Sequence, residues 1–195
     1  MRHLTATLCL TIAVLLGSAG VSWGTANKIN AKAESAIECA AMYLIASAIT
    51  ENNKNAAKSF ASVQTYFQWI YGAIESKRIG RPITNGMISR AKSFYQVQLG
   101  KQYDRNPNQV YTLEMRCNSW RELISVALSK LNSGSSQDVA ERAFRNVPGM
   151  PSAPSRSDPR WFRSKALIDA SFKKWTEMGR ITPQSVRDKL RRSSK

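Results

Sequence analysis

Apolar side chains recur every three or four positions along four successive segments of the chain, a pattern typical of helices that bury one face. The segments span residues 31–50, 55–79, 84–105 and 107–131. The second and fourth carry the alternating spacing of a heptad seam. Four amphipathic helices joined by short turns predict an all-α fold, a four-helix up-down bundle over residues 27–132. The two seams consist of Ala56, Phe60, Val63, Phe67, Ile70 and Ile74, and of Val110, Leu113, Cys117, Trp120, Ile124, Ala127 and Leu131.

The first of these helices is the most apolar. Between Ala36 and Ile49, only Glu38 and Ser47 are clearly polar. A bilayer-spanning helix needs about 20 apolar residues, so this shorter run predicts a buried core helix. The fourth helix is expected to begin after Asn106 as its N-cap. The third is patterned more weakly, and its expected inner face consists of Ile88, Ala91, Tyr95 and Leu99, with Met87 and Phe94 beside it.

The chain changes character after the predicted bundle. Residues 133–159 are interpreted as a linker, which is flexible at its Ser/Gly-rich start and has room for a short helix at 137–145. The part at 147–159 holds four prolines and is predicted to be extended. Residues 160–195 are predicted to form a basic amphipathic helical segment, with a long first helix at 160–178 and a short second one. The apolar face of the long helix consists of Trp161, Ile168, Phe172 and Trp175.

The first 26 residues have the layout of a secretory signal peptide. Arg2 is followed by no charged residue until Lys28, and the apolar stretch between them ends in small residues. Cleavage after Gly24 or after Ala26 satisfies the preference for small side chains at the cut. An uncleaved inner-membrane anchor is the alternative, and the glycines and threonines of the stretch argue against it. The expected location is therefore the periplasm or the exterior of the cell.

The run from residue 3 to residue 27, HLTATLCLTIAVLLGSAGVSWGTAN, resembles the leaders of exported proteins from Gram-negative bacteria, including some Sel1-repeat proteins. The resemblance ends with the leader, because the rest of the chain contains no internal repeat. It implies export and no particular fold or activity.

Two cysteines, Cys39 and Cys117, remain once the leader is removed. In an oxidising compartment two such cysteines usually pair. In an up-down bundle the first and fourth helices are antiparallel neighbours, and each cysteine lies about three turns from the end that the topology brings together. The pattern therefore predicts a Cys39–Cys117 disulfide, which would stabilise the fold by roughly 4.5 kcal/mol through loop closure. No metal or cofactor is predicted, since two thiols without histidine cannot complete a zinc site.

Positive charge is concentrated at the C-terminal end. The chain without its leader carries 28 Lys and Arg against 13 acids, and residues 156–195 alone carry 12 against 4. Such a density favours anionic partners, either an anionic lipid or envelope surface or an acidic protein. Nucleic acid ranks last, because an exported protein rarely meets it. No feature of the sequence indicates an oligomeric state.

The candidate binding residues lie on the 160–178 helix, where aromatic and cationic side chains alternate. A basic amphipathic helix of this kind lies on a membrane surface or docks in a partner's groove. The alternative is that the helix folds back and buries its aromatic side chains on the bundle. The predicted anion- or partner-binding residues are Arg160, Trp161, Arg163, Lys165, Phe172, Lys173, Lys174 and Trp175.

Histidine-dependent catalysis is excluded by composition. The only histidine, His3, lies in the leader, so the mature chain has no Ser–His–Asp, Cys–His or HExxH arrangement. Glu34 and Glu38 stand one helical turn apart and are the remaining pair of carboxyls, but a solvated helix edge explains them better than catalysis, because nothing else indicates a cleft.

These observations predict an exported, non-enzymatic binding or accessory protein of the bacterial cell envelope, with the bundle as scaffold and the basic C-terminal helix as the binding element. A secreted membrane-active effector or antagonist is the alternative, because it would use the same helix. The third hypothesis is a histidine-free cell-wall hydrolase that depends on Glu38.

Overall fold

The computed structural model describes residues 29–50, 53–129 and 137–179, and within them the chain is all-α, as predicted. The predicted leader, the Ser/Gly-rich joint and the last short helix lie outside the described residues. The helices are α1 (Ala31–Ala46), α2 (Lys54–Ile79), α3 (Asn85–Arg105), α4 (Pro107–Leu128), α5 (Gln137–Asn146) and α6 (Arg160–Glu177), with a 3-10 turn at Ser47–Thr50 directly after α1.

The ends of the helices follow from local side-chain chemistry. The Asn30 side chain accepts a hydrogen bond from the first turn of α1, and Asn53 and Thr84 do the same for α2 and α3. Helix α2 ends at Gly80, which adopts the left-handed conformation (φ 71°) that glycine tolerates without strain. Asn106 occupies the predicted N-cap position of α4, but its side chain makes no capping hydrogen bond.

Helix α1 lies at the centre of the protein, where it packs against α2, α3, α4 and α6. The many alanines of α1 allow its neighbours to approach closely, and most of its side chains are buried. The prediction of a buried core helix is therefore confirmed. By length and composition the run Ala31–Thr50 would also qualify as a membrane span, but 67% of its most apolar 18-residue window is buried inside the protein. A buried core helix also meets the length and hydropathy criteria for a membrane span.

The predicted seams of α2 and α4 face the core. Val63, Phe67 and Ile70 are buried on α2, and Trp120 of α4 packs against Phe67 with ring centroids 5.4 Å apart. Helix α3 is the most exposed of the first four: of its predicted inner face only Leu99 is fully buried, in keeping with its weaker pattern. On α4 the buried seam residues are Val110, Leu113, Cys117, Trp120 and Ile124.

The predicted disulfide is present. Cys39 of α1 and Cys117 of α4 are joined, with their Cα atoms 5.6 Å apart, and both are fully buried. The bridge connects residues 78 positions apart. It ties the central helix to α4, on which the C-terminal part of the protein also packs.

The helix predicted to stand apart at the C-terminus belongs to the same core. Helix α6 packs against α4, α1 and the 3-10 turn, and α5 packs against α2. In a four-helix up-down bundle α1 would lie diagonally opposite α3, whereas here the two helices are in contact. The fold is thus a helical array around α1 in which α6 takes part.

The proline-rich segment after α5 is extended, as predicted, but it is docked on α4. The indole Nε1 of Trp120 donates to the carbonyl oxygen of Pro148 at 2.7 Å, and Arg116 Nε donates to that of Pro151 at 3.0 Å. Val147 at its start is buried. A segment without regular structure must satisfy its carbonyls elsewhere, and here two side chains of α4 do so. The segment interpreted as a linker is therefore packed against α4.

Candidate functional site

The apolar face of α6 is covered by the rest of the protein. Trp161 meets the Tyr111 ring edge-on with centroids 5.6 Å apart, and Phe172 stacks on Tyr103 at 4.2 Å with the rings parallel. Ile168 is fully buried, and Trp175 is buried as well. Trp161, Phe172 and Trp175, which were predicted to contact a partner, are therefore buried within the protein, as in the alternative in which the helix folds back. Tyrosines of α3 and α4 offer these rings a closer apolar surface than any external partner.

The cationic residues predicted on α6 divide into two groups. Arg160 forms an ion pair with Asp158 (2.7 Å), and Lys165 forms one with Asp169 (2.7 Å). Arg163 and Lys173 are exposed, and Lys174 is half-buried. The exposed Arg163, Lys165 and Lys173, together with Phe162, whose exposed fraction is 71%, are called the basic surface of α6 below.

A half-buried carboxylate, that of Asp169, helps to hold α6 in place. Asp169 accepts hydrogen bonds from the hydroxyls of Tyr103 (2.8 Å) and Tyr111 (2.5 Å) and from Lys165 Nζ (2.7 Å). Burial acts to raise the pKa of Asp169, but these three donors hold it below its ordinary value. The Ser164 hydroxyl of α6 also donates a hydrogen bond to the Glu114 carboxylate of α4. Helix α6 is therefore attached by specific polar contacts as well as by apolar packing.

A polar cavity of about 270 Å³ lies where α1, the end of α3, the start of α4 and the proline-rich segment meet. We call it the Glu38 cleft. Its described lining includes one carboxyl, that of Glu38, and two guanidinium groups, those of Arg116 and Arg156. The remaining lining residues are Gln102, Asn108, Gln109, Thr112 and Leu113.

Both guanidinium groups of the cleft are held in position. Arg116 is anchored through Nε to the Pro151 carbonyl (3.0 Å), and Arg156 lies over the Trp161 ring, 5.3 Å from its centroid. Within the described part of the chain, neither forms an ion pair with an acid. The cleft thus presents two oriented cations that are not neutralised by a carboxylate in contact.

The pKa of Glu38, the carboxyl in the described lining of the cleft, is strongly raised. Burial and the nearby Glu34 raise its pKa from 4.5 to about 7, although Arg116 acts in the opposite direction. Glu34 itself accepts a hydrogen bond from the hydroxyl of Tyr95 at 2.9 Å. No described residue donates a hydrogen bond to the Glu38 side chain. Glu38 therefore exchanges its proton near neutral pH and remains available to a bound molecule.

A second, larger cavity of about 490 Å³ is also basic, but three of its four cations have partners inside the protein, and the fourth, Lys77, is exposed. Lys32 Nζ donates to the carbonyl oxygen of Arg145 (2.9 Å), Arg145 pairs with Glu141 (3.1 Å), and Arg78 pairs with buried Glu75 (2.6 Å). These contacts cap the ends of α2 and α5, where cations are favourable. This cavity is explained by helix packing.

Sequence reasoning found Glu38 and missed the rest of the cleft. The signal for Glu38 was a charged residue inside an apolar helix. Arg116 and Arg156 carry no such signal, because arginines are common on helix surfaces and in extended segments. Only the docking of the proline-rich segment brings Arg156 to the cleft. The described residues include no cluster of three or more His, Cys, Asp or Glu that could hold a metal ion.

Comparison of the chain with models of protein families, with curated proteins and with solved structures finds no significant match. Any functional argument therefore starts from the charges, cavities and buried groups of this protein alone.

Proposed function

We propose that this protein is an exported, non-enzymatic binding or accessory protein of the bacterial cell envelope, and that the basic surface of α6 engages an anionic lipid or envelope surface. The observation that carries the proposal is the division of α6 into a buried aromatic face and an exposed cationic one. The sequence from residue 156 to residue 195 contains 12 basic and only 4 acidic side chains. The attraction is electrostatic and falls as salt rises.

Peripheral adhesion fits this arrangement better than insertion into a bilayer. The aromatic side chains that would enter the acyl region, Trp161 and Phe172, pack against tyrosines of α3 and α4. The hydroxyls of Tyr103 and Tyr111 would have to separate from Asp169 before α6 could detach. Phe162 is the large apolar side chain that α6 leaves exposed, and one such group adds little apolar burial.

The test compares two double variants of equal charge in a vesicle co-sedimentation assay with phosphatidylglycerol-containing liposomes. One neutralises Arg163 and Lys173 on α6 by glutamine, and the other neutralises Arg90 and Lys101, which are exposed on α3. Each cation near an anionic bilayer contributes about 1 kcal/mol, so the α6 variant is expected to bind about thirtyfold more weakly. The α3 variant is expected to bind like the native protein.

Equal weakening by both variants would show that net charge alone matters and would remove α6 from the proposal. Absence of binding to anionic liposomes would leave an acidic protein as the partner of the same surface. Substitutions are preferable to truncation before α6, because removing this helix would also expose the core that it covers.

The membrane-active effector is the second candidate, and dye release from the same liposomes distinguishes it. Binding without release is expected, because α6 keeps its apolar face in the core. Release at protein concentrations that saturate binding would favour the effector instead.

The cell-wall hydrolase is supported by the raised pKa of Glu38, which suits a general acid near neutral pH. A glycosidase also needs a second carboxyl across the cleft, and the described lining offers Arg116 and Arg156 in its place. Digestion of purified peptidoglycan by the native protein, lost in Glu38→Gln, would establish the hydrolase. An inactive native protein would eliminate it.

A further inference from the structure

We propose that the Glu38 cleft is a binding site for a small hydroxylated carboxylate, separate from the basic surface of α6. The site is a cavity built from four parts of the fold, and its two guanidinium groups are oriented before any ligand arrives. Glu38 lies near Arg116, yet the two form no ion pair, so the acid and the cations of the cleft are not satisfied by each other. An external anion would complete these contacts.

The lining indicates the class of ligand. Guanidinium groups recognise carboxylates through paired, charge-assisted hydrogen bonds. Amide and hydroxyl side chains, among them Gln102, Asn108 and Thr112, suit hydroxyl groups on the ligand. Leu113 is the apolar residue of the lining, which disfavours acyl chains and aromatic rings. The volume of about 270 Å³ is at the lower end for ligand sites and admits a molecule of a few carbon atoms.

Glu38 controls the site through its proton. When protonated it donates a hydrogen bond to the ligand's carboxylate, and when ionised it repels the same group. The charged and titratable groups near it are Glu34 on α1, Tyr95 on α3, Arg116 on α4 and Arg156 on the proline-rich segment. Glu34 favours the protonated form of Glu38, and Arg116 favours the ionised form. Ligand binding therefore favours the protonated form and weakens as pH rises through neutrality.

The experiment is calorimetric titration of the mature, disulfide-bonded protein with malate, a hydroxy-dicarboxylate that stays ionised from pH 6 to pH 8. If only the protonated form binds, affinity is expected to fall about tenfold between these pH values, because the pKa of Glu38 is raised to about 7. Glu38→Gln, which keeps a neutral hydrogen-bond donor, is expected to bind equally at both. Arg156→Gln is expected to lose most of the affinity, and Arg90→Gln, on the exposed side of α3, none.

The Trp161 indole N–H resonance gives a local readout in the same titration, because Arg156 lies over that ring. A shift of this resonance with malate is expected in the native protein and in Arg90→Gln. No heat and no shift at millimolar malate would overturn the proposal, as would unchanged affinity in Arg156→Gln. The proposal would also be overturned if alanine bound more tightly than malate, if its binding strengthened towards pH 8, and if Glu38→Gln abolished that binding. Such a result would indicate a site for ammonium groups. The native pH profile tests the proposal even if a variant folds poorly, and none of these outcomes depends on liposome binding by α6.

Discussion

Replacement of Glu38 by glutamine is expected to stabilise the protein at neutral and alkaline pH and to leave its stability unchanged in acid. The physical reason is that the folded protein holds the Glu38 proton up to about pH 7, whereas the unfolded chain releases it near pH 4.5. Between these values the folded state binds more protons, so the free energy of unfolding falls as pH rises. The difference corresponds to about 3 kcal/mol, which is fully lost above pH 7.

Glutamine has a similar shape and stays neutral at every pH, so Glu38→Gln removes this cost. The expected gain in unfolding free energy is near zero at pH 4, intermediate at pH 5.5 and about 3 kcal/mol at pH 7.5. Urea denaturation of the native protein and the variant at these three pH values measures it. Glu177→Gln is the matched control, because Glu177 is exposed at the end of α6 and the same chemical change there is expected to have little effect.

Taking the difference between variant and native protein cancels the other groups that titrate in this range. A gain that is the same at all three pH values would mean that packing, not ionisation, distinguishes the side chains. A loss of stability at pH 7.5 would mean that ionised Glu38 is paired in the folded state, and it would refute the reasoning about the cleft.

Three further predictions concern the fold. Replacing Cys39 and Cys117 together by serine is expected to lower the free energy of unfolding in urea by up to about 4.5 kcal/mol, and an unchanged midpoint would contradict a role for the disulfide. Ile168→Ala on α6 is expected to lower the free energy of unfolding by about 3 kcal/mol, because the side chain is fully buried. Phe162→Ala on the same helix is expected to change it by less than about 0.5 kcal/mol, because that side chain is exposed. Similar values for the two variants would show that α6 is not packed against the core. Thr84→Ala is expected to cost about 1 kcal/mol by removing the N-cap of α3, which faster amide exchange in its first turn would reveal.

Helical periodicity was sufficient to predict the inner faces of the helices. The spacing of Val63, Phe67 and Ile70 on α2 identifies residues that are buried, and the apolar run of α1 identifies the central helix. The Cys39–Cys117 bridge could be predicted because only two cysteines follow the predicted leader. These features depend on the spacing of apolar residues within one helix or on the number of cysteines, and both can be obtained from a single sequence.

The partner of an apolar face cannot be predicted in the same way. Trp161 and Phe172 mark one side of α6 as apolar, but nothing in that pattern says whether a membrane or the protein itself covers it. The answer comes from Tyr103 and Tyr111, whose rings pack on α6 while their hydroxyls bind Asp169. A tyrosine is both apolar and polar, so it contributes little to the periodic pattern of a helix. Its contact with a helix some sixty residues away depends on the tertiary fold and cannot be predicted from local spacing.

The Glu38 cleft shows a similar limit. A lone acid in an apolar helix is visible in the sequence, whereas its raised pKa depends first on burial by the surrounding fold and then on Glu34. The proline-rich segment was interpreted as an extended linker because its four prolines exclude a helix. Its docking depends on Trp120 and Arg116, which bind carbonyls that no regular structure satisfies.

The position of the disulfide links the oxidation state of the two cysteines to the geometry of the Glu38 cleft. Cys39 directly follows Glu38, and Cys117 directly follows Arg116, so the covalent bond joins the residues next to the acid and the cation of the cleft. A newly made polypeptide whose thiols are still free holds these two groups on helices that only non-covalent packing keeps together. Formation of the disulfide would therefore fix the separation of Glu38 and Arg116 in addition to stabilising the fold.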